Sequence, residues 1–129
     1  MSDLKRILYV EDEPDIQAIA KLALEVVGGL ELQVCSSGED ALGCAEAFAP
    51  DLFLLDVMMP GLNGPDTLRA LQDIPSVAGV PAIFMTAKVQ PTEIITYKAL
   101  GALDVIAKPF DPMTLSDQIK EIWNNRHSI

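Results

Sequence analysis

Five side chains in this 129-residue sequence could do chemistry together: Glu11, Asp12, Asp56, Thr86 and Lys108. Each of the four places follows a short apolar run: RILYV before Glu11, DLFLL before Asp56, VPAIFM before Thr86 and LDVIA before Lys108. Taken singly, each has a plainer role as a helix cap, a solvated loop acid or a surface lysine. As a set they ask for more. Three clustered carboxylates repel one another and raise each other's pKa unless a cation sits among them. An all-oxygen donor set without His or Cys suits Mg2+ rather than Zn2+. Magnesium keeps several waters and takes one or two carboxylates plus a phosphate. A lysine and a hydroxyl opposite it would clamp phosphoryl oxygens, and one carboxylate would then be free to attack phosphorus.

Such convergence requires elements that bring distant positions to one edge. The apolar runs read as strands at 6–10, 30–35, 51–55, 80–85 and 103–107, the third apolar on both faces as a central parallel strand should be. Between them lie segments of helical period. Ile16, Ile19, Ala20, Ala23, Val26 and Val27 mark one apolar face of a first helix, with Pro14 in its first turn and Gly28-Gly29 at its end. Ser36 to Glu39 has the spacing of a capping box for a second helix reaching Phe48. Residues 65–72 and 91–100 form the third and fourth helices, with Gly101 as a left-handed stop. Asp111-Pro112 caps a last helix carrying Leu115, Ile119 and Ile122. Five strand–helix units with short, right-handed connections require an α/β fold: a parallel sheet with helices on both faces. Ligands in such sheets sit outside the carboxyl ends of the strands, where the five residues fall.

Composition narrows the function. Half of the residues are hydrophobic, enough for a real core in a single domain. Nineteen acids against nine bases give a net charge of −10, which repels phosphate backbones and argues against nucleic-acid binding. No apolar run approaches a membrane span and no signal peptide is visible, so the expected location is the cytoplasm. Cys35 and Cys44 cannot make a disulfide framework and are read as reduced, small apolar residues. His127 is read as a solvated tail residue, and one of Met58 and Met59 as filling the core.

The segments ILYVEDEP (7–14), DLFLLDVMMPGLNG (51–64), PAIFMTA (81–87) and GALDVIAKPF (101–110) resemble, in order and spacing, the receiver domain of two-component response regulators. Asp56 to Thr86 is 30 positions and Thr86 to Lys108 is 22, and the five-position set in register carries the specificity. The resemblance covers residues 5 to 123, within a single domain of 1–129 that leaves 124–129 as a tail. It implies the flavodoxin-like strand order 2-1-3-4-5, which alternation alone does not give. It also implies that Asp56 accepts a phosphoryl group. Asp12 would be a direct Mg2+ ligand, Glu11 an acid holding the ion through water, and Asp56 and the Met58 carbonyl further ligands. Thr86 would approach the phosphoryl oxygens, and Lys108 would pair with Asp56 and then with the phosphoryl group. Pro109 matches a family proline preceded by a cis bond. Two departures stand out: Val105 occupies a position that commonly holds an aromatic switch residue, and the phosphoryl-bordering positions two beyond Asp56 and Thr86 are Met58 and Lys88.

The resemblance further implies a signalling switch rather than an enzyme, one that promotes its own aspartyl phosphorylation and dephosphorylation. Its donor would be a sensor histidine kinase or a histidine phosphotransfer protein, and its downstream protein target would meet the surface from Pro91 to Trp123. The chain reads as a free-standing regulator, with an excised domain as the other reading. An alternative is a phosphate store in a relay, with little conformational output. A Mg2+-dependent phosphatase with an aspartyl nucleophile would usually place a second Asp where Met58 stands. A flavodoxin would not put Glu11-Asp12-Glu13 in its phosphate loop.

Overall fold

In the computed structural model, residues 3–126 are described. Strand β1, Arg6–Val10, is an inner strand of the sheet, with Ile7, Leu8, Tyr9 and Val10 all fully buried. Helix α1, Pro14–Lys21, follows it and continues as a π-helical turn, Leu22–Val27. Then come β2 (Glu31–Cys35), α2 (Gly38–Phe48), β3 (Leu52–Asp56), α3 (Gly64–Gln72), β4 (Ala82–Thr86), α4 (Pro91–Ala99), β5 (Ala102–Ala107) and α5 (Leu115–Asn124). The five strands are parallel and lie in the order β2-β1-β3-β4-β5, as the resemblance implied.

Apolar side chains cover both faces of the sheet. Leu8, Val10, Phe53, Leu55 and Phe84 meet Leu68 and Leu71 of α3 and Ala41 and Ala45 of α2 on one face. Ile7, Tyr9, Leu52, Leu54, Ile83 and Met85 meet Ala20 of α1, Leu24 of its π turn, and Leu115, Ile119 and Trp123 of α5 on the other. Each fully buried Leu, Ile or Phe stabilises the fold by about 1.5–3 kcal/mol, which is what allows the strand ends to hold charges out of water. Met59 joins this interior while Met58 is 67 % exposed. His127 lies outside the described residues.

Several local expectations need correction. The first helix does not keep one period. Its π turn, with Gly28 N–H donating to the Ala23 carbonyl five residues back, widens the helix and rotates the apolar stripe. Ala20, Ala23 and Leu24 face the sheet, while Ile19, Leu22, Val26 and Val27 are exposed. The cap of α2 is Ser37 rather than Ser36, its hydroxyl accepting from the Asp40 N–H at 3.0 Å. Asp111 does not cap α5 directly: it closes a turn by accepting from Met113 N–H, and α5 starts only at Leu115. Strands β2, β3 and β4 begin one or two residues later than the apolar runs suggest, and β5 one earlier. Gly101 is left-handed as expected, at φ +113°, and Gly29, at the end of the first helix, is left-handed as well, at +68°. The left-handed stop of α2 is Ala49, φ 53°, where nothing in the sequence marks one. Helix α4 has no buried residue.

Candidate functional site

Strand register places the site. Val10 pairs with Leu55, Asp56 with Met85, and Thr86 with Ala107. The ladder then runs one residue past the strands: Glu11 N–H donates to the Cys35 carbonyl, Val57 N–H to that of Met85 and Lys108 N–H to that of Thr86, at 2.9–3.0 Å. Glu11, Asp56, Thr86 and Lys108 are thereby held within two residue levels of one another on the carboxyl edge. Gly64 makes this edge tight. A Cβ there would lie 2.6 Å from the Asp56 carbonyl oxygen and 2.9 Å from the Val57 Cα, so only glycine lets α3 start so close to the end of β3.

Carboxylate oxygens of Glu11, Asp12 and Asp56 lie within 4.8 Å of one another. Glu11 and Asp56 are buried, and Asp12 is half-buried. The Lys108 ammonium bridges two of them, 2.9 Å from Glu11 Oε1 and 3.3 Å from Asp56 Oδ1. Burial, followed by the charge of Glu11, pushes the Asp56 carboxyl up to about 6, against the opposing pull of Lys108. Burial by itself would lower the Lys108 ammonium. Its hydrogen bond to Glu11 and the charge of Asp56 outweigh that, and its net shift is upward. One ammonium against three carboxylates leaves the pocket more negative than Lys108 balances, and its donors are all oxygen. That chemistry fits a hard divalent cation.

Each sequence-derived candidate can be placed. Glu11, Asp12, Asp56 and Lys108 come together. Thr86 ends β4 one residue beyond Met85, the register partner of Asp56, and its hydroxyl accepts from Lys88 N–H at 3.1 Å. Met58 sits in the loop after β3 with its side chain turned to solvent. The Lys108-Pro109 bond is cis. Val105 is half-buried against the cluster that holds Phe84 and Tyr97, whose rings meet edge to face at 5.2 Å.

Sequence reasoning missed the supports of Glu11. The Tyr9 hydroxyl donates to Glu11 Oε1 at 3.3 Å, and the Glu13 N–H donates to its other oxygen at 3.3 Å. The Gln17 side-chain amide reaches the Glu11 carbonyl. Burial, then the charge of Glu11, drives the Tyr9 phenol well above its ordinary range, so it stays a donor. The available signal was a tyrosine in an otherwise aliphatic strand, whose hydroxyl needs a partner once buried.

A family model described as the response regulator receiver domain matches residues 7–120. The DNA-binding response regulator MtrA of Mycolicibacterium smegmatis is 34% identical over 116 residues, which are 90% of this chain and 49% of that protein. The chain thus spans about half the length of the curated relatives it matches. Among solved structures, the chemotaxis response regulator CheY4 of Vibrio cholerae superposes with a TM-score of 0.84 at 26% identity, covering 92% of this chain and 98% of that one. A CheY-like receiver domain protein from Methanospirillum hungatei gives 0.80 at 29% identity, covering 96% and 97%.

Proposed function

This chain belongs to the response regulator receiver domain family, and from that premise we propose that Asp56 accepts a phosphoryl group from a sensor histidine kinase or a histidine phosphotransfer protein in two-component signalling. The observation that carries this is Lys108 bridging Glu11 and Asp56 at the edge where three carboxylates converge. An Asp56 carboxylate oxygen forms a bond to phosphorus as the donor's P–N bond breaks, and the electron pair of that bond returns to the imidazole nitrogen. Lys108 moves its charge from Asp56 toward the phosphoryl oxygens, and the Thr86 hydroxyl donates to one of them. Glu11, Asp12, Asp56 and the Met58 carbonyl would hold Mg2+, which when bound offsets the repulsion between an anionic donor and this acidic pocket. Water attack on the acyl phosphate returns Asp56 to its starting state.

Residues 5–123 are the receiver core on this reading, with 124–129 as a tail. The chain's net charge of −10 favours a protein target over nucleic acid. That target meets the surface from Pro91 to Trp123, which adjoins Thr86 and Lys108. Among the described residues no helix is long and apolar enough to cross a membrane. A second reading, a phosphate store in a relay, is favoured by Val105, a short β-branched side chain that cannot swing as an aromatic ring can.

Intact mass after incubation with Mg2+ and a small phosphodonor tests the assignment. A gain of about 80 Da, the mass of one phosphoryl group, is expected in the parent and absent in Asp56→Asn. The same gain in Asp56→Asn would overturn it.

A further inference from the structure

Cys35 and Cys44 stand on different elements, the last residue of β2 and the middle of α2, yet their sulfurs are 3.0 Å apart. That is about 1 Å longer than a disulfide bond. Cys35 is buried at 4 % exposure and Cys44 is half-buried, so an oxidant in solvent meets Cys44 first. Ala41 and Ala45, fully buried on the same helix, seat α2 against the sheet and hold the two sulfurs in register. Nothing in the proposed phosphoryl chemistry uses either thiol.

We propose that Cys35 and Cys44 form a reversible disulfide site, oxidised by a hydroperoxide and reset by thiol reductant. The Cys44 thiolate attacks the outer peroxide oxygen, and the O–O bond breaks. The other oxygen leaves as water or an alcohol after taking a proton, and Cys44 becomes a sulfenic acid. The Cys35 sulfur then attacks the Cys44 sulfur. The S–O bond breaks, and the hydroxyl departs as water with the proton Cys35 carried. Two electrons pass from the two sulfurs to the peroxide, and two thiols plus one hydroperoxide become one disulfide, one water and one water or alcohol. The order of events follows from the surroundings. Cys35, at 4 % exposure, is shielded from the peroxide and acts only in the second step, keeping its proton until then. The bond would tie α2 to the end of β2, whose Cys35 carbonyl holds the Glu11 N–H at 3.0 Å. Oxidation would thus brace one side of the acidic pocket. A cytosolic disulfide of this kind is transient and sensing rather than structural.

An S–H···S hydrogen bond would explain the contact without any oxidation, and the test separates the two. The full chain is treated with hydrogen peroxide, and its thiols are then counted by maleimide after denaturation. The expected product is a monomer lighter by two hydrogens, with neither cysteine labelled, a linked peptide joining Cys35 to Cys44, and full recovery under dithiothreitol. In Cys35→Ser, Cys44 should stop at a sulfenic acid that dimedone captures. In Cys44→Ser, which alters the less buried position, Cys35 should stay reduced at the same peroxide dose. Two labelled thiols after treatment of the parent, a disulfide-linked dimer, or prior oxidation of Cys35 in Cys44→Ser would each overturn the proposal.

Discussion

The Lys108 ammonium is held closer to Glu11, at 2.9 Å, than to Asp56, at 3.3 Å. The lysine is thus shared, with its shorter contact on the acid that is not the proposed nucleophile. Asp56 keeps an incompletely neutralised, buried carboxyl, which is why its pKa lies near 6.

The pH dependence follows with a definite sign. The folded-state value of Asp56, about 6, lies above its ordinary 3.8, so folding favours the protonated form. Without divalent cation, that contribution is intact below about pH 4 and is lost as pH rises through about 6. Asp56→Asn removes the penalty and should stabilise the fold at pH 7 by about 1–2 kcal/mol, less than the full shift implies because Lys108 loses a partner. The gain should vanish near pH 4. Urea unfolding at the two pH values measures it, and an equal gain at both would contradict the shift.

Lys108→Ala should leave Glu11 and Asp56 facing each other without a cation. Asp56 should then titrate above its value in the parent, as carboxyl NMR reports, and phosphoryl uptake from a small donor should slow by about 10²-fold. Unchanged titration and uptake would show that the bridge has no role.

Asp12→Ala takes one carboxylate from the cluster while sparing the buried pair. Mg2+ affinity by calorimetry should fall at least about tenfold, with thermal stability unchanged in metal-free buffer. Full phosphorylation at ordinary Mg2+ would remove Asp12 from the ligand set.

Gly64→Ala forces a methyl group against the Asp56 carbonyl and the Val57 Cα, both backbone, and should destabilise by about 2–3 kcal/mol. Ala49→Gly relieves an exposed left-handed alanine at φ 53° and should stabilise by about 0.5–1 kcal/mol. Chemical denaturation of the pair tests both signs.

Val105 cannot swing as an aromatic ring can, so if phosphorylation switches the chain, the expected route is through backbone. Hydrogen exchange on free and beryllofluoride-bound protein should differ across 87–100, the loop after Thr86 and α4. Unchanged protection there, with ligand bound at Asp56, would favour the relay reading.

The fold was legible because strand period, turn residues and short connections agree from Arg6 to Ile119. The convergence of Glu11, Asp12, Asp56 and Lys108 was legible because parallel strands leave their ends at one edge. What escaped was set by contacts between distant residues. The supports of Glu11 depend on Tyr9 and Gln17 lying across from it. The need for glycine at position 64 comes from β3 passing beneath it, not from a turn. The π turn at Leu22–Val27 has no residue signature, because leucine, alanine and valine serve a regular helix equally well. Cys35 and Cys44 meet only because α2 lies back over β2, and their spacing of nine is unremarkable by itself.

Helix α4 has no buried residue. Most substitutions on it therefore change stability by less than about 0.5 kcal/mol. Its sequence can drift under selection for what it touches, with little selection for how it folds. Residues on β1 and β3 have no such latitude, since a change there unsettles both the interior and the acids. Descendants of this chain could thus acquire new binding partners by rewriting α4 while the machinery at Asp56 stays as it is.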